Sequence, residues 1–302
     1  MLTARLATAA VLLPPVLAAV WWGGGALTSV LGAVGLLAGW EAAGLLAEAM
    51  AWAGGAKASR AGWRRLRAVG AVAGILPMGA LALLPWPPAA AMAAAPLAAA
   101  VVGAAAAAPT TAGAGSSAGP LGGGAPGPLG GMSAGLLGGG PAASLRGGVV
   151  AAGVAAWVGI PLACALWLRQ AGPAWLLVPL IILWVQDTAA FFVGRAWGRR
   201  PLAPRISPGK TWEGAAGGLA GALVAAALLA GLLDRSALEL LPAAAGTAVA
   251  GQLGDLWESW WKRRAGRKDS GSLLPGHGGM LDRIDSLLPA LVLFAAWMRP
   301  WR

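Results

Sequence analysis

The chain has 302 residues, 58% of them hydrophobic and 11% charged, with a single cysteine, Cys164, in an apolar run that rules out a disulfide framework. Its mean hydropathy of +0.70 excludes an ordinary soluble domain, and its apolar runs are long and continuous rather than alternating, which excludes a transmembrane barrel. The net charge of +11, from 22 Lys and Arg against 11 Asp and Glu, reads as basic loops beside anionic headgroups, so no nucleic-acid partner is expected.

The expected fold class is all-α: a polytopic helical membrane protein with about nine transmembrane helices and a cytoplasmic N-terminus. The spans are predicted at about 7–22, 26–53, 66–84, 88–108, 148–168, 173–193, 214–233, 240–257 and 286–298. Arg5 followed by an apolar run resembles a signal peptide, but the apolar segments that follow favour a retained first span. Residues 1–108 hold four spans. Residues 109–147 are rich in Gly, Pro and Ser, lack periodicity, and read as a cytoplasmic linker. A phosphate cradle there lacks its Gly-Lys-Ser/Thr and its preceding strand. Residues 148–302 hold five spans and are expected to be the catalytic region.

Three basic clusters set the orientation: Lys57 to Arg67, Arg195 to Lys210, and Lys262 to Lys268. With nine spans they follow spans two, six and eight, and so share one side, which the positive-inside rule makes cytoplasmic.

Acidic residues are scarce enough to place one by one. Glu41 and Glu48, seven apart, project from one face of the second span. A carboxylate at mid-bilayer costs about 2.5–3.5 kcal/mol and so faces protein or water. For Glu41, a helix-packing hydrogen bond and a functional role stay equally open. Asp234 and Glu239 bracket a short external turn and read as solvated. The rest fall in two blocks at the cytoplasmic edge.

The first block carries Asp187, Gly194 and Arg195, then Ser207-Pro-Gly-Lys210-Thr211-Trp-Glu213. Pro208-Gly209 predicts a turn, after which Lys210 and Thr211 start the seventh span. A helix N-terminus with Ser, Lys and Thr suits a phosphate. The second block runs from Asp255 and Glu258, three apart on one helix face, through Ser259, Lys262, Arg263, Lys268 and Asp269. It ends on Pro275-Gly-His277-Gly278-Gly279-Met-Leu-Asp282-Arg283-Ile-Asp285. Its glycines allow backbone to approach a ligand closely. Carboxylates interleaved with cations suit a nucleoside triphosphate with hard metal ions. One His and a distant Cys exclude the usual zinc set, and a Ser-His-Asp nucleophile lacks its Gly-x-Ser-x-Gly elbow.

Together these blocks resemble the phosphatidate cytidylyltransferase (CDP-diacylglycerol synthase) family. Its signature of Ser, a Lys-Arg pair, Lys-Asp, Pro-x-His-Gly-Gly and Asp-Arg-x-Asp is matched by Ser259, Lys262, Arg263, Lys268, Asp269, Pro275, His277, Gly278, Gly279, Asp282, Arg283 and Asp285. One departure is Trp261, where an aliphatic residue is usual. The motif-bearing region is 187–285. The resemblance implies that CTP and phosphatidate react to give CDP-diacylglycerol and pyrophosphate in a multi-pass inner (plasma) membrane protein, with the site at the cytoplasmic face. It implies Asp255 and Asp282 as metal ligands for Mg²⁺, with two ions in the site. Lys210, Lys262 and Arg263 would act with them as catalytic residues, Lys268 would help to hold the phosphates, and Ser207 and Thr211 would add hydroxyl hydrogen bonds. Asp187, Ser259, Asp269, His277, Arg283 and Asp285 complete the implied substrate site. A homodimer is left open. The rival readings are a CTP-dependent membrane kinase acting on a lipid alcohol and, from another class, an anion transporter, for which no broken-helix pair or inverted repeat is found.

Overall fold

The computed structural model describes residues 2–54, 60–82, 141–273 and 278–298. They form helices α1 (Leu2–Trp22), α2 (Gly24–Gly54), α3 (Arg60–Ala82), α4 (Pro141–Val154), α5 (Ile160–Ala171), α6 (Pro173–Trp197), α7 (Trp212–Leu232), α8 (Ala237–Arg264) and α9 (Leu287–Met298). A π turn, Ala155–Gly159, joins α4 and α5 into one rod. The cause lies in Pro161: it has no N–H for the carbonyl of Trp157, and widening the turn relieves the clash between its ring and that carbonyl.

Among the described residues, four segments are long and apolar enough to cross a membrane: Gly24–Ala49, Leu145–Ala171, Pro173–Trp197 and Trp212–Leu232. This is a helical membrane protein. Eight of the nine expected spans coincide with described helices; the other, 88–108, lies outside the described residues, as does 109–140 of the expected linker. Helix α4 begins at Pro141, inside the stretch expected to be linker. The α4–α5 rod is central, with every residue from Ile160 to Leu168 buried. By contrast, Val224, Leu228 and Leu232 of α7 are 59%, 66% and 81% exposed, which in a membrane means facing lipid tails.

Tails are as apolar as leucine, so close backbone packing rather than apolar burial holds such helices together. Helices α2 and α3 cross where Gly35 and Gly39 meet Gly70 and Gly74. A Cβ on Gly39 would sit 2.5 Å from the Gly70 carbonyl oxygen. Helix α1 ends at Gly23, whose φ of +68° turns the chain. Its last carbonyls, of Val20 and Trp21, accept from Arg169 at 2.5 and 2.7 Å.

The all-α class holds, with one small addition: β1 (Pro201–Ala203) and β2 (Ser207–Thr211) form an antiparallel hairpin between α6 and α7. One expectation needs correction: Pro208 and Gly209 do not make the turn. They lie within β2, and the turn is Pro204-Arg205-Ile206. A two-stranded sheet leaves one side of each strand unpaired, so a proline without an N–H is tolerated there. Helix α7 consequently starts at Trp212, one residue past Thr211, whose Oγ1 accepts from the Gly214 N–H at 3.1 Å as N-cap. Glu213 Oε2 accepts from the N–H groups of Arg199 and Arg200 at 3.1 and 3.2 Å, tying the base of the hairpin to α7.

Described residues of the three basic clusters meet at one end of the bundle. Glu48 of α2 accepts from Arg67 at 3.3 Å and Arg267 at 2.6 Å. Arg263 at the end of α8 donates to the Ile206 carbonyl in the hairpin at 3.2 Å. Trp257, Trp260 and Trp261 cluster there on α8, with Arg264 over the Trp260 ring at 4.5 Å. Such an aromatic belt with snorkelling cations suits a membrane–water interface.

Candidate active site

One face of α8 organises the site. Asp255, Glu258, Ser259 and Lys262 follow at offsets of three, four and seven residues, so all four project to the same side. Glycines let neighbouring chain reach this face. A Cβ on Gly254 would stand 2.5 Å from both the Asp285 carbonyl oxygen and Pro289 Cγ, so the start of α9 lies directly against α8.

The two motif blocks touch here. Lys210 of β2 pairs with Asp255 Oδ2, and Ser259 Oγ donates to Asp255 Oδ1 at 3.3 Å. One turn further along, Lys262 Nζ donates to Asp282 Oδ1 at 2.7 Å and lies 3.2 Å from Glu258 Oε1. These side chains are nearly buried: 10% exposed for Lys262, 5% for Asp282 and 2% for Glu258. The other oxygen of Asp282, Oδ2, accepts from the Ser270 N–H at 2.9 Å, the Ser270 hydroxyl at 2.9 Å and the Gly279 N–H at 2.8 Å. The motif loop therefore folds around Asp282.

Environment separates the two acids of the Asp-Arg-x-Asp motif. Burial acts to raise the Asp282 carboxyl, but the Lys262 hydrogen bond and the Gly279 and Ser270 N–H groups outweigh it and hold it below the usual carboxylate range. Asp285 is pushed up to about 7, first by burial and then by the Asp255 charge; its Oδ1 accepts from the Ser286 N–H at 2.7 Å.

A cavity of about 360 Å³ opens beside Asp255, lined among others by Asp187, Arg195, Lys210, Thr211 and Gln252. A second, of about 730 Å³, lies against the motif loop and includes Trp40, Glu41, Arg67, Arg267 and Asp269. The remaining expected residues are spread around these. Ser207 is half-buried on β2, and Lys268 and Arg283 are exposed. Arg263 ties Ile206 to the Arg267 carbonyl. Thr211 lines the first cavity but spends one lone pair on its helix cap. Pro275 and His277 lie outside the described residues.

Spacing marked Glu41 and Glu48 as a costly carboxylate pair on one face of an apolar helix, but it did not name their partners, and Ser270 was not picked out at all. Ser270, Glu41 and Glu48 join the motif loop to α2: Glu41 Oε2 accepts from the Ser270 hydroxyl at 3.0 Å and from the Leu281 N–H at 2.9 Å.

Hard cations take oxygen donors, and Mg²⁺ is usually held by one or two carboxylates with substrate phosphates and water completing its shell. Among the described residues no group of three or more His, Cys, Asp or Glu is placed to hold a metal ion unaided. Asp255 fits this role: Asp187 and Asp285 lie close enough to feel its charge, and Lys210 is its ion-pair partner. On Asp282 only Oδ1, with one donor, has capacity left, because Oδ2 is filled.

The arrangement is similar to known proteins along a shorter stretch than the fold itself. The Haemophilus influenzae phosphatidate cytidylyltransferase is 48% identical over 128 residues, 40% of this chain and 44% of that protein. The Pseudomonas aeruginosa protein of the same name is 46% identical over 127 residues, 40% of this chain and 47% of that one. The Bacillus subtilis one is 47% identical over 123 residues, covering 40% and 46%. The chain thus spans under half the length of each of these curated relatives. The family model described as "Cytidylyltransferase family" matches residues 3–301, nearly the whole sequence, and the chain belongs to that family.

Proposed function

We propose that this protein is a phosphatidate cytidylyltransferase of the inner (plasma) membrane, working at its cytoplasmic face in phospholipid biosynthesis. The observation that carries the reading is the double pairing of Lys210 with Asp255 and Lys262 with Asp282. It gathers cations and carboxylates from two distant motif blocks at the end of the bundle where the basic loops converge. The names of the relatives point to the same reaction.

In this reading a phosphate oxygen of phosphatidate attacks the α-phosphorus of CTP. A new P–O bond forms, the bond from that phosphorus to the bridging oxygen breaks, and pyrophosphate leaves with the electron pair. No general base is required, because a phosphate monoester with a second pKa near 6 is mostly ionised at neutral pH. The protein's task is to align two anions and stabilise the charge that builds at phosphorus and on the leaving group. Lys210 and Lys262, held in place by their carboxylates, supply fixed ammonium groups for this, and each such donor is worth on the order of 3 kcal/mol when aimed at developing charge. Arg263 and Lys268 would help to hold the phosphates. Asp255 and Asp282 are the residues that would hold Mg²⁺, one of two ions expected, which when bound supplies charge neutralisation at the phosphoryl oxygens. Lipid reaches this end along the exposed apolar faces, and CTP is drawn from the cytosol by the basic loops.

Purified protein in detergent, given phosphatidate, Mg²⁺ and CTP labelled at the α-phosphate, should place label in lipid and release pyrophosphate, and EDTA should stop both. Label entering lipid only from the γ-phosphate would identify a lipid-alcohol kinase instead. Anion flux in liposomes without any lipid product would identify a transporter.

A further inference from the structure

We infer that Glu41 of α2 is a positioning residue for this reaction, acting through Ser270 on Asp282, so that the N-terminal half of the chain forms part of the catalytic apparatus. The inference rests on the proposed transferase reading.

Glu41 is 5% exposed, and its carboxylate reaches out of α2 into a loop more than two hundred residues away. Its Oε2 accepts from the Leu281 N–H at 2.9 Å and from the Ser270 hydroxyl at 3.0 Å. That hydroxyl has one proton and a second acid oxygen in reach, Asp282 Oδ2 at 2.9 Å. Ser270 thus bridges Glu41 to the proposed metal ligand, while its own N–H and that of Gly279 bind the same Oδ2. The consequence for Asp282 is rotational. With Oδ2 held by two backbone N–H groups, and by the shared hydroxyl whenever its proton turns that way, the carboxylate plane is fixed and Oδ1 alone is presented to Lys262. The loop is shaped for this contact: a side chain at Gly271 or Gly279 would run into the Glu41 carboxyl. Simple helix packing does not explain the arrangement: among the described residues Glu41 bonds no neighbouring helix side chain, and its partners Ser270 and Leu281 lie in the segment that carries the acid.

The test uses the full chain in detergent with Glu41→Gln, Ser270→Ala, Ser270→Thr and the Glu41→Gln/Ser270→Ala double variant. Gln keeps the shape of Glu41 and an acceptor for the Leu281 N–H, which protects folding; should it still fail to fold, the two Ser270 variants decide alone. Ser270→Ala is expected to lower kcat about 10–100-fold, the scale of a misplacement near 1 Å, with either KM changed less than about 3-fold, and Ser270→Thr should restore kcat. The double variant should be no slower than the slower single one, as for residues acting through one contact. In EDTA, amide exchange at Ser270, Gly279 and Leu281 should quicken about tenfold or more while the α8 core is unchanged. Unchanged kcat in Ser270→Ala, penalties that multiply, or unaltered loop exchange would each overturn the inference. If wild-type protein made no CDP-lipid, the function reading would fall, and the exchange data would still show whether Glu41 fixes the loop.

Discussion

Replacing Lys262 by Met keeps the length and apolar stem of the side chain and removes the ammonium. The group deleted is 10% exposed, bonds Asp282 at 2.7 Å and stands 3.2 Å from Glu258. Breaking a buried ion pair by removing one partner costs about 3–5 kcal/mol, because the remaining charge is stranded. For a domain of this size that is a fall in melting temperature of roughly 6–20 °C. The deficit should also depend on pH. Asp285 is held up near 7 mainly by burial and then by Asp255, and Lys262 is one of the charges pulling it down. A carboxyl raised in the folded state contributes stability that is complete below its unfolded value and is lost as pH rises through its folded value. Without Lys262 the folded value rises further, so the variant loses more stability than wild type as pH climbs through 7. Melting in detergent with EDTA, at about pH 5.5 and about pH 8.5, reads both effects. A variant that melts with wild type at both pH values would refute the buried-pair reasoning, and a deficit larger at the acidic end would refute the account of Asp285.

Asp285→Asn keeps an acceptor for the Ser286 N–H and removes the charge. In EDTA it should stabilise the protein by up to about 4 kcal/mol near pH 8.5, with the gain fading as pH falls through 7, read by the same melts. Gly254→Ala places a Cβ 2.5 Å from the Asp285 carbonyl oxygen and Pro289 Cγ; it should cost about 1–3 kcal/mol and lower turnover with it. Asp282→Asn should abolish turnover, and it also replaces an acceptor of several donors, so a melt should show a loss of about 1–3 kcal/mol. Asp234→Asn should change neither activity nor melting: Asp234 is exposed with φ 53°, a conformation asparagine adopts easily.

Apolar runs made the helices legible, because a segment that crosses lipid has little choice but to be continuous and helical. The charged side chains that meet on α8 were legible for a different reason: charge is so costly in this chain that each carboxylate stood out. What spacing concealed was contact between distant segments. The Ser270 to Glu41 bond spans 229 positions, and nothing in either segment names the other. The hairpin was hidden by a misleading cue, since Pro208-Gly209 reads as a turn and lies in a strand whose open side needs no N–H. The α2–α3 crossing, by contrast, was written in the sequence as Gly35-x-x-x-Gly39 and Gly70-x-x-x-Gly74, the small-residue spacing that lets membrane helices approach.

Stability alone would not select the α8 face. Glu258 is buried, and neither of its side-chain oxygens has a hydrogen-bond partner among the described residues, although Lys262 lies beside one of them. Asp285 is raised by burial and by its like-charged neighbour. Well-packed apolar side chains commonly replace such buried ions at no cost or with a gain, so the arrangement calls for another explanation, and preorganisation supplies one. Lys210 is kept in position by Asp255, and Lys262 by Asp282 with Glu258 beside it. On the proposed reading, incoming phosphates exchange for those carboxylates on the two lysines. The oxygens released, one on Asp255 and Oδ1 on Asp282, are hard donors of the kind Mg²⁺ takes. Oδ2 of Asp282 cannot join the exchange, because Ser270 and Gly279 hold it. That division of labour between the two oxygens is what a fixed loop contributes and what a solvated carboxylate at the membrane surface would lack.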